Sequence, residues 1–169
     1  MPSTKVATFL AHAIAMETEA AERYDELADV MEVHNNPEVA ALFRQMAEYS
    51  RLHGASVVKR AEGHDLPRLK SWEYRWNTPE PPEVGGGECA HYLMTSYHAL
   101  EFALENERRG QEFYAGCAST TSDAEIRRMA TEMAAEEAEH VEELERWLAR
   151  TPKPATSWAE DPDPALVAD

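Results

Sequence analysis

Long stretches of the chain repeat apolar residues with a helical period. In residues 4–33, Leu10, Tyr24 and Met31 fall on one row spaced by sevens, beside the row Ala13, Ala20 and Leu27. Such rows form the apolar stripe of an amphipathic helix. The same spacing returns in Leu93, Leu100 and Tyr114, with Ala103, Gly110 and Cys117 alongside, and two further stripes run through Val39, Met46 and Val57 and through Ile126, Met133 and Leu144. No segment alternates with period two, so strands are not expected. Glycine and proline punctuate between these blocks. Residues 63–87 hold four prolines and four glycines, and the tail from Thr151 carries Pro152, Pro154, Pro162 and Pro164. Asn36 followed by Pro37 reads as an N-cap and first helical residue, and Asp123 as a second N-cap.

The pattern predicts an all-α domain over 1–150 with helices at about 4–34, 37–62, 88–118 and 124–149, and a Pro-rich, flexible tail over 151–169. The first and second helices, and the third and fourth, are separated by a few residues and should form antiparallel hairpins. The 63–87 link is long enough to run the length of a bundle, which gives a four-helix bundle with one crossover. Trp72, Tyr74 and Trp76 in that link are expected to cover the bundle side or a dimer contact.

The two hairpins repeat each other. Glu17 lies in the apolar row of the first helix, seven before Tyr24, and Glu107 lies in that of the third, seven before Tyr114. Asn36 to His53 and Asp123 to His140 are both 17 residues, and Leu42, Met46 and Ala47 match Met129, Met133 and Ala134. The stripe of the fourth helix contains Glu137 and His140, whereas that of the second contains Ser50 and His53. A carboxylate facing a helical core costs several kcal/mol unless it is paired, of order 3–5 kcal/mol when a partner is lost. Here three glutamates and two histidines face inward and the inward rows carry no lysine or arginine. A bound cation balances that charge. Residues three apart share a helix face, so Glu137 and His140 can meet one ion. Mixed oxygen and imidazole donors suit iron or manganese and tolerate zinc. Glu-x-x-His alone is a weak signal: Glu88 and His91 show it on the polar side of the third helix and read as solvated surface. The competing reading of the inward groups is a cluster of shared protons and waters, and Tyr24 and Tyr114 read equally well as core residues with satisfied hydroxyls. His12, His34, His64, His91 and His98 fall off the inward rows or in loops.

Composition narrows the function. The formal charge of −16, from 32 acids against 16 bases, argues against nucleic acid and anionic membrane surfaces as partners. Two cysteines, Cys89 and Cys117, cannot build a zinc ribbon or a rubredoxin-type iron centre, and the expected compartment is the cytoplasm. KVATFLAHAIAM mimics a signal peptide but runs unbroken into the first helix, so it reads as mature protein. No apolar run approaches membrane-spanning length.

In ETEAAERY (17–24), RLH (51–53), ERRGQEFY (107–114) and EEAEH (136–140) the chain resembles the rubrerythrin group of ferritin-like proteins, over residues 4 to 149. That resemblance implies a di-iron site in which Glu17 and Glu107 are terminal carboxylates, Glu137 bridges, and His53 and His140 each complete one metal, with Tyr24 and Tyr114 hydrogen-bonding carboxylates across the bundle. It also implies a homodimer and, for redox turnover, an external electron donor. Ser50 stands where the second bridging glutamate belongs, and Gly110 where such proteins carry an additional glutamate. Glu48 cannot replace Ser50, because two residues are about 200° around a helix. Three functions follow as expectations: a di-iron peroxidase or oxidase, an iron-binding or ferroxidase protein, and a non-catalytic bundle with one metal or none.

Overall fold

The computed structural model describes residues 4–69 and 95–154. These form four helices: α1 (Thr4–Val33), α2 (Pro37–Arg60), α3 (Ser96–Thr120) and α4 (Ala124–Arg150). The described residues contain no strand. The expected link over 63–87, with its tryptophans, and the tail beyond 154 lie largely or wholly outside them.

The helix ends follow from local chemistry. Asn36 caps α2, its side-chain oxygen accepting from the Val39 amide at 3.4 Å, with Pro37 in the first turn. Asn35 takes the left-handed conformation, φ 57°, that the tight α1–α2 connection requires. Asp123 caps α4 by accepting from the amides of Glu125 and Ile126 at 2.9 and 3.1 Å. α3 starts at Ser96, later than the expected residue 88. Thr95 caps it, accepting from the His98 amide, while the His98 ring accepts from the Thr95 amide at 3.3 Å. This reciprocal cap uses histidine where the usual capping box has Glu or Gln, so no Gly or Pro marks the start. Residues 88–94, including Leu93 and the Glu88–His91 pair, lie outside the described residues.

Side-chain contacts fix the helix directions. Arg44 meets Asp25 and Glu32, and His53 meets Glu17, so α2 runs antiparallel to α1. Arg108 meets Glu145, and Glu107 meets His140, so α4 runs antiparallel to α3. Tyr24 reaches Glu107 and Tyr114 reaches Glu17, so α1 and α3 are antiparallel as well. It follows that α2 and α3 are parallel. Parallel helices cannot be joined by a tight turn, which is the crossover topology of a ferritin-like bundle.

The core comes in two apolar clusters. One gathers Tyr24, Leu27, Met31, Phe43, Met46, Leu100 and Leu144, among others. The second gathers Val6, Phe9, Leu10, Val57, Tyr114, Ile126, Met129 and Met133. Along every helix the residues between these clusters are the polar ones of the inward rows: Glu17, Ser50, His53, Glu107, Glu137 and His140. The bundle therefore has a polar layer between two dry halves. His12 and His98, expected off the inward rows, are both buried. Among the described residues no helix is long and apolar enough to cross a membrane.

Candidate metal centre

Each of the four helices sends at least one polar group into the layer, and three carboxylates there are buried: Glu17 at 5% exposure, Glu107 at 7% and Glu137 at 3%. Among the described residues no lysine or arginine is buried with them. The two hairpins build nearly equivalent halves. In the first, His53 Nδ1 lies 3.8 Å from Glu17 Oε1. In the second, His140 Nδ1 lies 3.7 Å from Glu107 Oε2. Glu17 and Glu107 are each held by a tyrosine of the other hairpin. The Tyr114 hydroxyl donates to Glu17 Oε1 at 3.1 Å, and the Tyr24 hydroxyl donates to Glu107 Oε1 at 3.4 Å. Burial, reinforced by the neighbouring carboxylates, pushes both phenols well above their ordinary pKa, so they remain neutral donors.

The halves differ at the position of the second acid. Glu137 extends to the opposite hairpin, where its Oε1 lies 3.1 Å from His53 Nδ1. Its counterpart Ser50 is buried but too short to return the gesture. The His53 and His140 rings stack with centroids 4.6 Å apart and planes within 9°. One ligand atom each from His53, Glu137 and His140 lies within 4.8 Å of the others, a spacing that accommodates a metal ion. Gly110 of α3 faces this acid: a Cβ there would meet Glu137 Cδ at 3.4 Å, an ordinary contact distance.

Two polar atoms test whether these residues fit a metal. Glu137 Oε2 and His140 Nδ1 are buried and have no hydrogen-bond partner within the protein. The His140–Glu107 separation of 3.7 Å is too long for a hydrogen bond. Leaving a buried acceptor unpaired costs about 1–3 kcal/mol, and a carboxylate and an imidazole nitrogen are both metal ligands. The residues fit.

Electrostatics point the same way. Burial would lower the pKa of His53, but Glu137 and Glu17 override it and raise the imidazole to about 10. Burial raises Glu137 to about 9, with Glu107 and Glu17 adding to the push against the opposing hydrogen bond from His53. Burial alone would also raise Glu107, but His140 and Glu137 hold it below the ordinary carboxylate value. Crowded negative charge thus makes the metal-free layer hold protons where a cation would satisfy it.

All five expected ligands, Glu17, His53, Glu107, Glu137 and His140, are gathered in this layer, with Tyr24 and Tyr114 behind them. One contributor was not apparent from the sequence. Asn106 Nδ2 donates to the Tyr24 hydroxyl at 3.0 Å, which directs the tyrosine proton toward Glu107. Asn106 precedes Glu107 and lies off the seven-residue row, so only its position next to an inward acid marked it.

The fold and the layer together define a class: a ferritin-like four-helix bundle with a carboxylate–histidine centre. The rubrerythrin family model matches residues 8–85. The chain is similar along nearly its whole length to the crystal structure of an uncharacterized conserved protein from Magnetospirillum magnetotacticum MS-1, with 54% sequence identity and a TM-score of 0.69. That match covers 89% of this chain and 98% of the other. No curated protein matches. This chain belongs to the rubrerythrin group of ferritin-like proteins.

Proposed function

We propose that this protein binds a pair of iron ions in the polar layer and uses them to reduce peroxide or dioxygen with electrons from a separate donor. The observation that carries the reading is the pair of buried, unpartnered ligand atoms, Glu137 Oε2 and His140 Nδ1, among three buried carboxylates. Glu17, His53, Glu107, Glu137 and His140 hold the metals. An iron pair supplies two one-electron equivalents, enough to reduce a peroxide bond. The chain's own residues supply the setting. Tyr114 and Tyr24 fix the orientation of Glu17 and Glu107 by donating to one oxygen of each, which leaves the other free to coordinate. The apolar clusters above and below bound the layer along the bundle axis.

Peroxide consumption by the iron-loaded protein with a chemical reductant tests the reading. Repeated turnover that is lost in Glu137→Ala is expected. Oxidation of added Fe(II) without reductant-driven peroxide consumption would instead make the protein a ferroxidase.

A further inference from the structure

A groove of about 320 Å³ opens between α1 and α2 and reaches the polar layer from outside the bundle. Its floor is formed by the buried residues Glu17, Ser50 and Ala21. Its sides are Ile14, Ala55 and Val58, with Gly54 beside Glu17, where a Cβ would stand 3.5 Å from Glu17 Cβ. The groove therefore exists because α2 presents small residues at 50, 54 and 55. At its mouth, Asp25 is paired with both Arg44 and Arg51, at 3.0 and 2.7 Å. Glu22 also lines the groove, and the two arginines are shared with Asp29, Glu32 and Glu48, so the rim is net acidic and an anion is drawn in only by metal charge at the floor.

Charge at the floor is not balanced once metals are bound. A di-iron centre of this type uses four glutamates, two terminal and two from the Glu-x-x-His motifs. Here Ser50 replaces one of them. Two divalent ions bring four positive charges, Glu17, Glu107 and Glu137 return three, and the imidazoles and phenols enter neutral. One positive charge is left over, on the side where Ser50 opens to the groove. A monoanion neutralises it. A groove of this volume is at the lower end of small-molecule sites, and its sides are apolar, which suits a ligand with a carbon tail rather than water alone.

We propose that the α1–α2 groove binds a short-chain aliphatic monocarboxylate, whose carboxylate takes the place left by Ser50 and whose tail packs between Ile14, Ala55 and Val58. The inference rests on the metal-site reading above. The carboxylate is the group that a glutamate at position 50 supplies, detached from the chain, and the Ser50 hydroxyl serves as a donor to one of its oxygens. Metal loading and carboxylate binding are then linked, each strengthening the other by the same factor.

Anaerobic Fe(II) titration in carboxylate-free buffer, with and without millimolar butyrate, tests the proposal. In the wild-type chain butyrate is expected to tighten the weaker iron site at least tenfold. Ser50→Glu is expected to bind iron tightly with no response to butyrate. Ala55→Phe fills the groove from its outer side, and there the butyrate effect is expected to disappear while the helical circular dichroism is kept. Two irons bound with no butyrate response in the wild type overturns the groove proposal and leaves the metal site standing. An equal butyrate response in all three chains also overturns it, because the effect would then not come from the groove. Failure of the wild type and of Ser50→Glu to bind iron under either condition overturns the metal-site reading and this proposal with it.

Discussion

At the scale of single residues, the layer is a set of charges held out of water with too few partners, and its protons should report on that. In the metal-free chain His53 and Glu137 keep their protons to about pH 10 and 9. The two groups share one hydrogen bond and titrate as a pair, and metal ligation requires both deprotonated, so metal binding near pH 7 should release at least one proton per chain, and affinity should fall as pH is lowered. Calorimetric titration in buffers of different ionisation enthalpy measures the release directly. Tyr114 should act through Glu17 rather than on the metal. Tyr114→Phe is expected to weaken metal affinity about tenfold, at the low end for a group behind a ligand, with stoichiometry unchanged. The residues on apolar seven-residue rows, Glu17, Glu107 and Glu137, were legible in the sequence, because an acid in a core stripe contradicts its surroundings. The contact of His53 with Glu137 was not, because it joins the two hairpins and no spacing along the chain encodes it. Nor was the burial of His12 and His98, which lie two residues from the apolar-row positions Leu10 and Leu100.

At the scale of the helices, an end is legible in the sequence where its cap has a familiar side chain. Asn36–Pro37 and Asp123 mark the starts of α2 and α4 where the structure has them. The start of α3 was missed because its cap pairs Thr95 with His98, and histidine at the third position is not the acid or amide that the pattern calls for. The apolar row also continues back through Leu93, so periodicity alone extended the helix. If the Thr95 cap holds α3 in register, Thr95→Ala should cost about 1 kcal/mol, and Asp123→Ala a similar amount at α4. Urea unfolding with the slope unchanged would show both as stability effects. The antiparallel pairing of α1 with α3 was implied only by the crossover; the reciprocal Tyr24–Glu107 and Tyr114–Glu17 contacts establish it.

At the scale of the whole molecule, two apolar clusters carry the fold and the layer between them opposes it until its charge is met. His53 holds its proton to about pH 10 in the fold but titrates at 6.5 by default, so its stabilisation is complete below pH 6.5 and lost as pH rises to 10. Glu137 is raised from 4.5 to about 9, so folding is relatively favoured below pH 4.5 and that advantage is lost on the way to pH 9. Glu107 is shifted down and its contribution is lost only in acid. The metal-free protein should therefore lose thermal stability between pH 7 and pH 10, on the order of 5 °C in melting temperature, and bound metal should abolish the loss. A melting temperature that is flat across that range would show that the layer is not strained by its charge. The most direct test of the central claim is metal content per chain after anaerobic Fe(II) loading and desalting, run beside Glu137→Ala. A metal centre in this layer predicts about two irons in the wild-type chain and a marked loss in the variant. No retained iron, or the same amount in both chains, would contradict it.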